Sequence, residues 1–148
     1  MACSRAEPAP ASWVVVHADA GAPAAVAREA ADARARGLVP VLYLSASYTL
    51  AGANLERHHD VPEMKDALQG IAVIAIDDPN ALPAFGAAMQ GTWSSFHELD
   101  AHGRPTGRSL DPGTKDGPCS DPAMRACAAW LRPWTRSLRP GSRALTSR

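Results

Sequence analysis

Residues 41–56, which read VLYLSASYTLAGANLE, join a strand to the start of a helix. The strand is predicted over residues 39–45, because a continuous apolar run of this length is typical of a strand buried in a parallel sheet. After a short loop, the helix is predicted to begin near Leu50 and to continue through Glu56 toward His59. A buried strand that leads directly into a helix indicates an α/β fold.

The segments on either side supply the remaining elements. Residues 13–17, which read WVVVH, form a short run centred on three valines and predict a strand. Residues 19–37 predict a helix that Asp19 or Gly21 caps and Gly37 ends. Beyond residue 56 the pattern predicts a helix over 62–68 and a strand over 71–76. A further helix is predicted from Asp77, and it carries Leu82, Phe85 and Met89. A hairpin of strands 93–99 and 104–110 follows, and then a last helix from Asp121 whose end Pro133 disturbs. This order predicts βαβ units, then an antiparallel hairpin, then a closing helix.

The composition is that of a soluble globular protein with a single domain. The 148 residues are 46% apolar and 20% charged, and the formal net charge is zero. Without a basic surplus to neutralise phosphates, nucleic-acid binding is not expected. No apolar run approaches the ~18–20 residues that a membrane span needs. We expect residues 1–12 to form a flexible leader, 13–135 the domain, and 136–148 a basic flexible tail.

Three further segments carry a resemblance to a known family. Residues 60–68 read DVPEMKDAL, residues 71–77 read IAVIAID, and residues 96–107 read FHELDAHGRPTG. Their order and spacing, together with the strand–loop–helix segment, resemble thioredoxin-like proteins over residues 38–132. The resemblance implies a thioredoxin-like three-layer α/β sandwich with a central mixed sheet.

The chain departs from this family where the family's redox chemistry takes place. Residues 46–48 stand where relatives have Ala-Ser-Trp before a Cys-x-x-Cys motif, so Thr49 and Gly52 occupy the two cysteine positions. Ser94 stands at the position of the family's cis-proline, and we expect a trans peptide bond there. Disulfide exchange requires a thiolate. The resemblance therefore predicts a redox-inactive member with no catalytic residue, no metal ligand and no cofactor.

The former active-site face is the predicted binding site. In redox-active relatives extended protein segments dock on this face, so we expect a non-catalytic module that binds a protein partner. The Ala-, Arg- and Pro-rich composition fits a bacterial origin, and an immunity protein that neutralises a toxin or an adaptor in a larger assembly are the two roles considered. The predicted binding residues are Tyr48, Thr49, Leu50, Ala51, Gly52, Trp93, Ser94 and Ser95.

Two enzymatic alternatives remain open. In a thiol- or glutathione-dependent enzyme, Thr49 would replace the nucleophilic cysteine, as Ser or Tyr does in glutathione-transferase relatives. Residual disulfide oxidoreductase activity would instead use Cys119 and Cys127. The odd cysteine count and the spacing of those two residues favour unpaired structural thiols. The expected location is cytoplasmic, and the alternative is periplasmic or lipid-anchored, if a signal peptide was removed before Cys3.

Other polar clusters are interpreted as structural. His58 and His59 point about 100° apart on a helix, so a solvated helix end is favoured over a metal site. Ser94 or Ser95 could pair with His97 as nucleophile and base, but no G-x-S-x-G nucleophile elbow accompanies them. Trp130 and Trp134 are predicted to pack the last helix against the core. Trp93 is predicted to lie either at the binding face or in the core.

Overall fold

The computed structural model describes residues 10–17, 19, 21–45, 49–76, 94–111 and 117–139. Within these residues the strands are β1 (Ser12–Val16), β2 (Val39–Leu44), β3 (Ile71–Ile76), β4 (Ser95–Leu99) and β5 (Pro105–Leu110). The α-helices are α1 (Ala22–Ala35), α2 (Leu50–His58), α3 (Pro62–Ala67) and α4 (Arg125–Leu138), and a 3-10 turn spans Pro118–Ser120. No helix in this part of the chain is long and apolar enough to cross a membrane.

The five strands form one mixed sheet in the order β1-β3-β2-β4-β5. Strands β1, β3 and β2 are parallel, whereas β4 runs antiparallel to both β2 and β5. The predicted βαβ units and the following hairpin are therefore confirmed as an α/β fold. The predicted helix that begins at Asp77 lies outside the described residues.

Alternate residues of the strands face two different helix layers. Val41 and Tyr43 of β2 point to the face that α2, α3 and α4 cover, and Leu42 and Leu44 point to the face that α1 covers. Every residue of β2 and β3 is buried. Both faces of the central strands therefore exclude water, which explains why their sequences are continuously apolar rather than alternating.

Helix α1 forms largely as its sequence predicts. Pro23 lies in its first turn, and the Asp19 carboxylate accepts a hydrogen bond of 2.8 Å from the Gly21 N–H at the capping position. Its buried face consists of small residues together with Val26, so the helix can approach the sheet closely. Gly37 has a φ of 77°, and its lack of a side chain permits the left-handed turn that follows the helix.

Helix α4 differs from the prediction at both ends. Asp121 does not start the helix but caps a preceding turn, where its carboxylate accepts a hydrogen bond from the Ala123 N–H. Met124 then takes a left-handed conformation with a φ of 63°, and the helix begins at Arg125. It continues through Pro133 to Leu138, because the Thr135 hydroxyl donates to the Ala67 carbonyl and Leu138 is buried. The first three residues of the predicted tail therefore belong to α4.

Cys119 and Cys127 form a disulfide, so the prediction of unpaired thiols is wrong. The 3-10 turn folds back on the start of α4 and brings the two Cα atoms within 4.4 Å. The Asn54 side chain of α2 fixes this turn, since its amide donates hydrogen bonds to the Cys119 carbonyl at 3.1 Å and the Ser120 carbonyl at 2.8 Å. Both sulfur-bearing side chains are buried, so the disulfide joins two parts of the core.

The turn between β4 and β5 packs tightly against α1. Asp100 accepts hydrogen bonds from the N–H groups of His102 and Arg104, and Gly103 takes a φ of 77°. A Cβ atom at Gly103 would lie 2.7 Å from the Cα of Ala27, which is closer than real side chains come. Glycine is therefore required at this position by both backbone conformation and space.

Candidate functional site

The N-terminus of α2 is closed by its own side chain. Thr49 is the capping residue, with an extended backbone, and its Oγ1 accepts a hydrogen bond of 3.0 Å from the Gly52 N–H. A threonine in this role satisfies one of the N–H groups that a helix leaves unpaired at its start. The Thr49 side chain is buried, with 2% of its surface exposed. The hydroxyl is thus engaged in holding the helix rather than presented to a ligand.

Most of the other predicted binding residues are buried as well. Ala51, Gly52, Ser94 and Ser95 all lie in the interior. Leu50 is the exception: 56% of its surface is exposed although it is a large apolar residue. Tyr48 and Trp93 lie outside the described residues. The described part of the predicted site therefore offers one exposed apolar side chain on a buried, hydrogen-bonded base.

Ser94 has an unusual backbone conformation. Its φ is 47°, in the left-handed region that non-glycine residues seldom adopt. Its hydroxyl is buried and has no hydrogen-bond partner among the described residues. The peptide bond before it involves Trp93, so the expected trans geometry lies outside the described part of the chain. Strain and an unsatisfied hydroxyl at one residue are features that often accompany binding sites.

Ser95 and His97 do come together, as their shared strand face predicts. The Ser95 Oγ lies 2.8 Å from Nε2 of His97. Burial lowers the pKa of His97, and the negative charge of Asp111 partly opposes this shift. Both side chains are buried, and the pair lies inside the strand β4 rather than at an accessible nucleophile elbow. We interpret the pair as a hydrogen bond of the interior.

A polar cluster lies around the C-terminal end of β2. The Ser45 hydroxyl donates a hydrogen bond of 2.5 Å to Oε1 of Glu56. The Tyr43 hydroxyl lies beside those of Ser45 and Ser94 but meets neither with hydrogen-bond geometry. Burial raises the pKa of Tyr43 to about 12; the two serine hydroxyls oppose this shift, and the charge of Glu56 adds to it. A buried phenol without a partner is costly, since the group has lost its bonds to water.

An open groove, which we call the β1–α2 groove, lies beside this cluster. Its volume is about 290 Å³, and its described lining residues are Trp13, Val15, Ser45, Glu56, His59 and Ala75. The groove runs between strand β1 and the C-terminal half of α2, with β3 beneath. Sequence analysis missed it because the two walls are more than forty residues apart in the chain.

Stacked rings form one wall of the β1–α2 groove. The rings of Trp13 and His59 are parallel within 8°, with centroids 4.2 Å apart. Burial lowers the pKa of His59, and the charge of Asp60 partly opposes this. His59 therefore packs against a strand and is not simply part of a solvated helix end, as was expected. The spacing of Glu56 and His59 by three residues, which places both on one helix side, was the signal available in the sequence.

Within the described ranges, no three His, Cys, Asp or Glu side chains gather in a way that could hold a metal ion.

Trp130 and Trp134 are half-buried, and their ring centroids lie 6.3 Å and 6.4 Å from that of Phe96. Their predicted packing role is therefore confirmed.

The chain matches no known family model, and no curated protein matches its sequence.

Proposed function

We propose that the chain is a non-catalytic protein-binding module with a thioredoxin-like three-layer fold. The strand order β1-β3-β2-β4-β5, with three parallel strands followed by an antiparallel hairpin, supports the resemblance seen in the sequence. Helices pack on both faces of the sheet, as such a fold requires. The proposed docking surface is the N-terminal end of α2, where the family's thiols would stand.

The observation that carries this proposal is the exposure of Leu50. It is the first residue of α2, and it follows a capping residue that is almost completely buried. An exposed leucine contributes little to folding, whereas an apolar side chain on a rigid base can anchor a partner at low entropic cost. Tyr48, two residues before Leu50 in the sequence, and Trp93, which directly precedes Ser94, are proposed to complete the surface. An immunity protein or an adaptor would both use it in this way.

The structure weighs against each enzymatic alternative. A glutathione-dependent enzyme needs a hydroxyl that faces the thiol, but the Thr49 hydroxyl is buried and accepts a backbone hydrogen bond. Residual disulfide exchange through Cys119 and Cys127 needs an accessible sulfur, and both residues are buried. Neither alternative is favoured by an observation of its own.

The disulfide supports the periplasmic alternative for location rather than the cytoplasmic one. Disulfides persist in oxidising compartments and are reduced in most cytosols. We propose that the chain works in an oxidising compartment of its host. Alkylation of free thiols in intact cells, followed by a mobility assay, would detect the disulfide; a fully alkylated Cys119–Cys127 pair would contradict this location.

The test of the docking surface compares two matched variants. Leu50→Asp and Val15→Asp each place a carboxylate at an exposed apolar residue, because Val15 is 57% exposed and Leu50 is 56% exposed. Asp is also favourable in the first turn of a helix, so Leu50→Asp should fold normally. We expect a partner captured from a host lysate by the wild type to be retained by Val15→Asp and lost by Leu50→Asp, with all three proteins showing native circular dichroism.

Two results would contradict the proposal. Capture that is lost with Val15→Asp and kept with Leu50→Asp would move the interface to the β1 edge. Turnover in an insulin-reduction or glutathione-conjugation assay would show that the module is an enzyme.

A further inference from the structure

The β1–α2 groove exists because a small residue stands where its neighbours are large. On the side of β3 that faces α2, Ile71 and Val73 are followed by Ala75. Ala75 is buried at the base of the groove, and its single methyl group leaves the space between β1 and α2 unfilled. At about 290 Å³, the groove is at the small end of the ~300–1,000 Å³ typical of ligand pockets.

The groove carries one negative charge. Among its described lining residues, Glu56 is the one acidic side chain, and burial lowers the pKa of His59, which disfavours the charged form of the imidazole. The ion pairs found among the residues that the structure describes join Arg36 to Asp32 and Arg132 to Asp66, so neither involves Glu56. Glu56 is exposed, so a cation in solution can reach its carboxylate, and the apolar side chains beside it strengthen the attraction relative to open water.

Hydrogen-bonding groups surround this carboxylate. Ser45 donates its proton to Oε1 of Glu56, so the lone pairs of the serine oxygen remain suited to accept a further donor. The buried Tyr43 hydroxyl, for which the described residues supply no partner, lies beside Ser45. The α2 side of the groove therefore offers a carboxylate together with a hydroxyl that can accept a further hydrogen bond.

We propose that the β1–α2 groove binds a small organic cation, namely a primary ammonium group attached to an apolar body. The ammonium donates to the Glu56 carboxylate and to the Ser45 oxygen. The apolar body lies over Ala75 between Trp13 and Val15. This site is separate from the docking surface at Leu50 and does not depend on the function proposed for it.

Other ligand classes fit less well. An anion would be repelled by Glu56. A neutral apolar molecule would cover the carboxylate without a counter-charge, which costs free energy. A divalent metal ion would find a single carboxylate, whereas such ions take several oxygen ligands from the protein.

The test is a titration of the isotope-labelled full chain with phenethylammonium chloride, followed by amide and indole NMR signals. We expect saturable shifts at the Trp13 indole N–H and the Ala75 amide. The neutral analogue 2-phenylethanol should bind at least about tenfold more weakly, because it lacks the charge-assisted hydrogen bond to Glu56.

Three variants locate the site. Glu56→Gln keeps the shape and an acceptor for Ser45 but removes the charge, and it should weaken phenethylammonium binding by about tenfold or more. Ala75→Leu fills the base of the groove and should abolish binding. Glu29→Gln is the matched control, because the same substitution is made on α1 across the sheet, and it should bind like the wild type.

Several outcomes would overturn the proposal. These are equal binding of phenethylammonium and 2-phenylethanol, wild-type affinity in Glu56→Gln, shifts confined to residues outside the groove, and no saturable shift up to the solubility limit of the probe. If Ala75→Leu loses its native spectrum, Glu56→Gln decides the question alone, since its change in charge leaves the packing intact.

Discussion

The two ends of helix α2 differ in how their polar groups are satisfied. At the start, Thr49 is buried and bonded to the Gly52 N–H, so this end is closed apart from the exposed Leu50. Toward the other end, Glu56 and His59 line an open groove, and the nearby Tyr43 hydroxyl finds no partner among the described residues. The difference teaches that the position marked by the resemblance is a structural cap, whereas the open groove lies two turns further along the helix.

The largest expected effect concerns the unsatisfied phenol. Tyr43 is neutral when protonated, and its pKa is raised from 10.0 in the unfolded chain to about 12 in the fold. The unfolded state therefore loses its proton first, and stability is fully present below pH 10 and lost as the pH rises toward 12. Tyr43 alone should lower the free energy of unfolding by about 3 kcal/mol over this window.

Urea denaturation of the wild type and Tyr43→Phe between pH 7 and 12 measures this effect. At pH 7 Tyr43→Phe should be more stable than the wild type by about 1–3 kcal/mol, because the substitution removes a buried hydroxyl that the described residues leave without a partner. Above pH 10 the wild type should lose stability faster than Tyr43→Phe. Parallel curves for the two proteins would show that the phenol is not isolated, and the contrast between the two ends of α2 would then break down.

The second effect concerns the disulfide, which is tied to the middle of α2 by Asn54. The loop that it closes is short, with a sequence separation of 8, so removing the crosslink should cost about 2–3 kcal/mol. The double variant Cys119→Ala/Cys127→Ala and the wild type in reducing agent should show the same lowered midpoint in urea. An unchanged midpoint in both would mean that Asn54 and the core hold the turn without the crosslink.

The smallest effect concerns the closed end. Thr49→Val keeps the volume of the side chain but removes the cap on the Gly52 N–H, and it should lower the free energy of unfolding by about 1 kcal/mol. Glu56→Gln, at the open end, should change stability by less than about 0.5 kcal/mol. Urea denaturation of both variants measures the contrast directly. Equal losses would contradict the distinction between a structural and a functional end.

The sequence predicts the element order well because both central strands are buried on two faces. Their uninterrupted apolar runs, and the Gly37 that ends α1, are local signals that do not depend on the rest of the fold. The continuation of α4 past Pro133 depends instead on contacts such as that of Thr135 with Ala67, which outweigh a local preference.

The candidate site is less predictable, because its walls meet only in the folded chain. The pairing of Cys119 with Cys127 requires a turn that Asn54 positions from another helix. The stacking of His59 on Trp13 requires β1 to lie at the sheet edge next to β3, which the order of elements alone does not specify. Helix periodicity places Glu56 and His59 on one side but does not show what faces them.

The close approach of Gly103 to Ala27 also limits how this protein can be engineered. Hairpin turns at a protein surface commonly accept inserted peptides, tags and new chain termini. Here a Cβ atom would already be 2.7 Å from the helix backbone, so a longer turn would have to lift the hairpin away from α1. A Cβ atom at Gly107 on the same hairpin would meet nothing within 4 Å, but the φ of 98° there is one that residues with side chains rarely adopt, so this position also favours glycine. The tip of the hairpin is thus a fixed junction between two layers, and a fusion partner belongs elsewhere.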